Sequence, residues 1–337
     1  PIGFRFIGCD YTVDWGDGSA PENFTNNTTA SHDFSWSGCG SSTLTSRNYR
    51  QALVVVTPTS PGGVFTTVHL MQYPHPSVPA STISNSGMLD LECSSPGSAF
   101  PAIGSSTTAV LRHPFLEHVK FRSSFTSGSW AYAFAQCRSL QSVEGLELSQ
   151  TTNTTGLFLG CVSLETAPAF DTSLVTTMSS MFNTCWALVD VPTYDYSSVT
   201  MLDGMFNSCT RLVSIGVMNT SAALTIAQSA FNGCAALRSF GGFSNTANLT
   251  NISTCFNGCV NLITVPDMNL PKVTTVQGTF SGCASLITAP AMTFSSLLVT
   301  MASCFDGCTS LRTLPAYNTA SVQNFSSTLN NCRTLVT

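Results

Sequence analysis

From residue 130 onward the apolar positions of this chain fall on a fixed grid. Cysteine recurs at Cys137, Cys161, Cys185, Cys209, Cys234, Cys259, Cys283, Cys308 and Cys332, at intervals of 24 or 25 residues. Three residues before these stand Phe134, Phe158, Phe182, Phe206, Phe231, Phe256, Phe280 and Phe305, with Leu329 in the last copy. Three residues after each stands a leucine, from Leu140 to Leu335. A single F-x-x-C-x-x-L turn cannot bury its own apolar face, so the in-phase copies predict a solenoid of stacked turns.

Further columns keep the same phase. An apolar residue follows each leucine by three, as in Val143, Ala167, Val191 and Ile215, with proline next in Pro168, Pro192 and Pro266. An apolar pair such as Val175 with Met178 begins seven residues before the phenylalanine. This pattern predicts a mainly β repeat, with a short strand near L-x-x-Φ-P and a short helical or 3₁₀ segment near S-x-M-F-x-x-C. At ~4.8 Å between stacked strands, nine turns make a stack of roughly 45 Å. The extra residue of a 25-residue copy falls between the proline/glycine position and the apolar pair, as between Gly216 and Leu224, where a surface loop tolerates it. Asn183, Asn207 and Asn232 follow the phenylalanine directly and suit turns closed by side-chain to backbone hydrogen bonds.

The run Asp171-Thr172-Ser173-Leu174-Val175-Thr176-Thr177-Met178-Ser179-Ser180-Met181-Phe182-Asn183-Thr184-Cys185 resembles the turns of BspA-type leucine-rich repeats, in particular their phage and bacterial surface variety. The resemblance covers about residues 130 to 337. It implies a leucine-rich-repeat solenoid and a place among adhesins, virion fibres and other surface proteins.

Before the repeat the pattern changes. Tyr11 to Ser19, with Trp15-Gly16-Asp17-Gly18, resembles the W-x-G-D-G turn of a PKD-type β-sandwich, and His32-Asp33-Phe34 resembles that family's following H-x-Y/F. Tyr49 to Thr57 reads as a core strand rich in β-branched residues, and Phe65 to Met71 as another. A PKD-like β-sandwich is therefore expected over 1–73. Pro74, Pro76 and Pro79 cannot donate to a ladder and open a linker or irregular stretch over 74–105. Leu116 and Val119 precede Leu140 and Val143 by 24 residues, which marks 106–129 as a degenerate capping turn ahead of the solenoid at 130–337.

Composition narrows the function. Only 9% of the 337 residues are charged, with 12 Lys+Arg against 17 Asp+Glu, so the surface is neutral and hydroxyl-rich. So few cations cannot neutralise many phosphates, which argues against nucleic-acid partners and anionic membranes. No apolar run approaches the ~20 residues of a membrane span. The chain begins at Pro1 and ends within a repeat, which fits a processed or incompletely covered product.

Candidate chemistry is sparse. The cysteine column has no histidine column beside it and suits small buried apolar packing better than metal ligation, so neither a metal nor a cofactor is expected. Cys9 and Cys39 could pair. Asp14 and Asp17 beside a glycine turn fall short of a calcium site. All five histidines precede the regular repeat and sit in no catalytic motif, and among repeat carboxylates Asp190, Asp195 and Asp203 form the nearest cluster. The column Phe170, Tyr194, Met218, Phe243, Met268, Met292 and Tyr317 forms an aromatic and methionine stripe. Facing out, it is a candidate binding surface for a partner or glycan; facing in, it is another core row, which its composition favours. Eight N-x-S/T sequons accompany an Asn- and Thr-rich composition and carry little information.

The sequence thus reads as a non-enzymatic structural or recognition protein of a virion surface, such as a phage fibre, decoration or tail-associated protein. Its expected partners are other structural proteins, a host surface protein or glycan, and copies of itself. A cellular adhesin or a filament-forming surface protein is the alternative, followed by a carbohydrate-active enzyme carrying a binding solenoid.

Overall fold

The computed structural model describes residues 2–7, 9–15, 19–32, 55–59, 67–71, 90–93, 116–121 and 128–336. In the N-terminal part, β1 (Ile2–Ile7) pairs antiparallel with β4 (Thr29–His32) and β6 (Thr67–Met71). A second antiparallel sheet joins β2 (Tyr11–Asp14) to β3 (Glu22–Phe24) and β5 (Val55–Pro58). Alternation decides which face of β2 is dry: Tyr11 and Val13 are buried, as is Trp15 just beyond, while Asp14 is exposed. The polar tips of the two aromatic residues are satisfied, Tyr11 Oη donating to the Thr28 carbonyl at 2.5 Å and Trp15 Nε1 to Glu22 Oε1 at 3.0 Å. The expected glycine turn at 16–18 and the Asp33-Phe34 pair lie outside the described residues, as does Tyr49 to Val54.

Parallel pairing begins earlier than the repeat motif suggests. β7 (Asp90–Cys93) pairs parallel with β8 (His118–Phe121), which pairs parallel with β9 (Ser142–Glu144) in the register Val119↔Val143. The stretch 74–105 read as irregular therefore contains a strand. Its sequence gave no sign because it lacks the F-x-x-C-x-x-L phase.

Beyond residue 128, successive turns of 24 or 25 residues lie in register. One unbroken ladder of parallel bridges runs through Ser129, Asn153, Thr177, Met201, Ile226, Asn251, Thr275, Thr300 and Asn324. A second runs near the L-x-x-Φ positions, with Thr166↔Asp190, β10 (Ser214–Ile215) against β11 (Ser239–Phe240), Ser239↔Thr264 and Thr288↔Thr313. A third joins Met218 to Phe243 and β12 (Met268–Leu270) to β13 (Met292–Phe294). The offsets grow from 24 to 25 where a copy has its extra residue, between Met218 and Ile226 for instance, so the ladders keep phase and the connecting loop absorbs the insertion.

The segment expected to be helical or 3₁₀ is neither. No helix occurs among the described residues. Around Phe182 the amides alternate in their use: those of Met181, Asn183 and Cys185 bond three residues back, while those of Met178, Ser180, Phe182 and Thr184 donate to Met201, Asp203, Met205 and Asn207 of the next turn. A helix is interrupted because Ser180 and Thr184 are left-handed, with φ of 53° and 61°. The equivalent positions are left-handed in every copy, among them Gly156 and Gly160, Gly204 and Ser208, and Gly278 and Gly282.

The interior is a set of piled columns. Phe134 to Phe305 stack one over the next, with adjacent ring centroids 5.3 to 5.6 Å apart and interplanar angles of 3 to 12°. The leucine and cysteine columns lie beside them, buried from Cys137 through Leu311. Phe121 and Trp130 close the N-terminal end of the pile, packing edge-on to one another at 5.7 Å and against Phe134.

Candidate binding faces

Each column fixes where a side chain can act. The aromatic and methionine stripe is an interior row. Tyr194, Met218, Met268 and Met292 are buried, and Phe170, Phe243 and Tyr317 are half-buried against the core. Tyr194 Oη donates to the Pro168 carbonyl at 2.7 Å and Tyr317 Oη to the Pro290 carbonyl at 2.8 Å, so even the polar tips are consumed within the stack. Burial holds both phenols well above their ordinary range. The buried members face inward and the Tyr194 and Tyr317 hydroxyls are occupied, so the surface this row offers is confined to the half-buried edges of Phe170, Phe243 and Tyr317.

The three carboxylates are not brought together. Asp190 lies on the L-x-x-Φ ladder. Asp195 closes a turn by accepting from the Ser197 amide at 2.8 Å and also accepts from Asn219 Nδ2 at 2.9 Å. Asp203, two residues past the Met201 ladder position, accepts from the Ser179 hydroxyl of the preceding turn. The Ser197 amide and hydroxyl hold the Asp195 carboxyl below its usual range, which suits a turn-closing acceptor and not a proton donor.

The cysteine column is buried from Cys137 to Cys308, half-buried at Cys332, and free of disulfides. From Cys161 onward each thiol aims at a backbone oxygen of the turn before: Cys161 Sγ at the Phe134 carbonyl, Cys185 at Phe158 and Cys209 at Phe182, all at 3.1 Å. Loss of hydration pushes Cys137 and Cys259 up to about 12, so thiolate is not formed near neutral pH. Among the described residues no group of three His, Cys, Asp or Glu side chains could hold a metal ion. Cys9 is half-buried, and Cys39 and Asp17 lie outside the described residues.

A different column carries the exposed chemistry. The residue just after each leucine stands one position before the bridged residue of the L-x-x-Φ ladder, and this column places Val189, Val213, Ile263 and Ile287 at the surface, each 37 to 43% exposed. Beside them, one residue after the cysteine, Trp186 and Val260 are exposed as well. The next position past the exposed column is mostly hydroxylic, from Ser142 and Thr166 to Thr288 and Thr313. Sequence reading missed this lane, although the signal was present: β-branched residues in phase with the leucines but one step beyond the core column.

Residues 199–336 match the BspA type leucine rich repeat region in six copies. Over that stretch the repeat is of the leucine-rich type. An overlapping stretch, residues 129–241, matches a family described as Mycoplasma protein of unknown function, DUF285. No curated protein matches the chain in sequence. A solved structure described as a TLR13–ssRNA13 complex is similar with TM-score 0.33 and 17% identity, covering 73% of this chain and 39% of that one. A leucine-rich repeat protein from Bacteroides ovatus gives TM-score 0.29 and 15% identity, covering 78% of this chain and 86% of that one. The chain thus spans 39% of the length of the first of these. The BspA-type match suggests a surface or protein-binding role, and neither matched family indicates a catalytic domain. No helix among the described residues is long and apolar enough to cross a membrane.

Proposed function

We propose that this protein is a non-enzymatic recognition component displayed on a virion surface, presenting its solenoid sideways to a partner while residues 1–73 act as a PKD-like stalk. The observation that carries the recognition reading is the division of labour between columns. The interior rows are largely sealed, whereas the lane one residue past the leucines repeats large apolar side chains in water turn after turn, the arrangement that marks partner contact. The virion setting is supported by the closeness of Asp171 to Cys185 to the phage variety of the repeat. Detection of the chain in gradient-purified particles is the test. Its presence in cell-surface fractions alone replaces the virion component by a cellular adhesin, and native mass measured over a range of concentrations separates a defined homo-oligomer from an open filament. Glycan cleavage that disappears in Asp195→Ala would instead favour the enzyme reading.

A further inference from the structure

The lane one residue past the leucine column reads, turn by turn, Val189, Val213, Arg238, Ile263, Ile287, Arg312. It is rigid: from Val213 onward each residue's amide is bonded to the carbonyl of the lane residue before it, Arg238 to Val213 at 2.8 Å, Ile263 to Arg238 at 3.2 Å, Ile287 to Ile263 at 3.4 Å and Arg312 to Ile287 at 2.9 Å. A surface already fixed in this way loses little freedom when it is covered.

Arginine, though not Lys272, gathers on or beside the same lane. Residues 130–337 hold five arginines, and all five fall on the lane or within the two positions after a cysteine: Arg138, Arg211, Arg238, Arg312 and Arg333. The chain as a whole carries a net charge of −5. Arg211 approaches Glu165 at 3.7 Å, both well exposed, whereas Arg238 and Arg312 have no carboxylate partner among the described residues.

We propose that this lane is the docking surface for a protein partner that presents two carboxylates flanking an apolar centre. The proposal rests on the recognition reading above and names the face and the partner class. The two unpaired guanidiniums stand three turns apart, about 14 Å at ~4.8 Å per turn, with Ile263 and Ile287 between them. In an extended strand, residues i and i+4 lie on one face and are also about 14 Å apart, so an acid-x-apolar-x-acid segment laid along the stack meets both arginines and covers the isoleucines. Branched aliphatic rows fit protein side chains; a sugar would call for aromatic platforms, and Trp186 is the one aromatic residue exposed beside this lane.

The test uses the full chain and a fluorescein-labelled peptide Thr-Glu-Thr-Ile-Thr-Glu-Thr read by anisotropy at low salt. Binding is expected, weakened about tenfold or more in the double variant Arg238→Glu/Arg312→Glu, and the peptide with lysine at both glutamate positions is expected to bind that variant better than the native chain. Both substitutions are at exposed side chains, and an unchanged melting temperature establishes that the variant is folded; Arg238→Gln/Arg312→Gln serves where it is not. Absence of peptide binding to the native chain, binding indifferent to the double variant, or preference for a heparin-derived hexasaccharide over the peptide overturns the proposal. A double variant that still associates with particles as the native chain does refutes this lane alone; a native chain absent from every surface fraction refutes the recognition reading itself.

Discussion

At the scale of single residues, the cysteine column is explained by geometry that alanine, serine and valine each satisfy only in part. The Phe182 carbonyl accepts from the Cys185 amide within its own turn and from the Cys209 thiol of the next, both at 3.1 Å. Sulfur is large enough to fill the gap beside the phenylalanine pile and still carries a weak donor. Cys209→Ala removes the donor and leaves a small void, with an expected loss of about 1–2 kcal/mol. Cys209→Val sets a methyl against that carbonyl and is expected to cost about 1–3 kcal/mol, whereas Cys209→Ser keeps a donor and should cost less than valine; urea midpoints rank the three. Phe206 lies 5.6 Å from both Phe182 and Phe231, so Phe206→Ala opens the pile on two sides and should cost about 3–5 kcal/mol.

At the scale of one turn, what decides the backbone is the pair of left-handed positions, not a helix. They hold Tyr132, Ser180, Ser229 and Thr254 at one site and Gln136, Thr184, Ser208 and Asn331 at the other, alternating with glycine between copies. The phenylalanine, cysteine and leucine columns were legible because burial admits few residue types there. The left-handed columns were not, because serine and threonine are also tolerated in a helical segment and hide the constraint that their glycine counterparts reveal. Ser180→Gly should therefore stabilise by up to about 1 kcal/mol, read as a raised melting temperature. A second glycine pair separates spacing from dihedral angle. A Cβ on Gly241 would come within 2.5 Å of the Gly216 and Val217 backbone, whereas one on Gly216 meets nothing within 4 Å. Gly216→Ala is expected to leave the unfolding midpoint nearly unchanged, and Gly241→Ala to lower it markedly by forcing two turns apart. The outward lane was partly legible for the same reason as the core: its residues share the leucine phase, but period alone does not tell which of two adjacent columns faces water.

For the whole molecule, the thiols act together. Ten cysteines are buried, and burial moves Cys137, Cys259 and Cys308 up to about 12 from an unfolded value of about 8.5. Because the folded value is the higher one, the neutral thiols favour the folded state fully below the unfolded value, and that advantage fades as pH climbs toward the folded value. Each thiol then contributes about 1.4 kcal/mol of lost stability per pH unit. Ten together reach about 14 kcal/mol over one pH unit, comparable to the ~5–15 kcal/mol that holds a typical domain. Cooperative unfolding is expected within about one to two units above the unfolded thiol value, followed by circular dichroism, with thiol reagents reacting only as structure is lost. Replacing two of the ten by serine should shift the transition to higher pH.

The unbroken register of the bridges from Ser129 to Asn324 makes length a quantity that can be edited in whole graduations. Excising 177–200, so that Thr176 joins Met201, brings together neighbours already shaped to fit, and the product should fold as a shorter copy of the same object. Removing half that number would set the buried thiol positions opposite loop residues such as Ser197 and Ser221, and nothing intermediate is available. Evolution of reach in such a molecule is thus a matter of counting, in which duplication or loss of one unit changes how far it extends without any redesign of what it is made from.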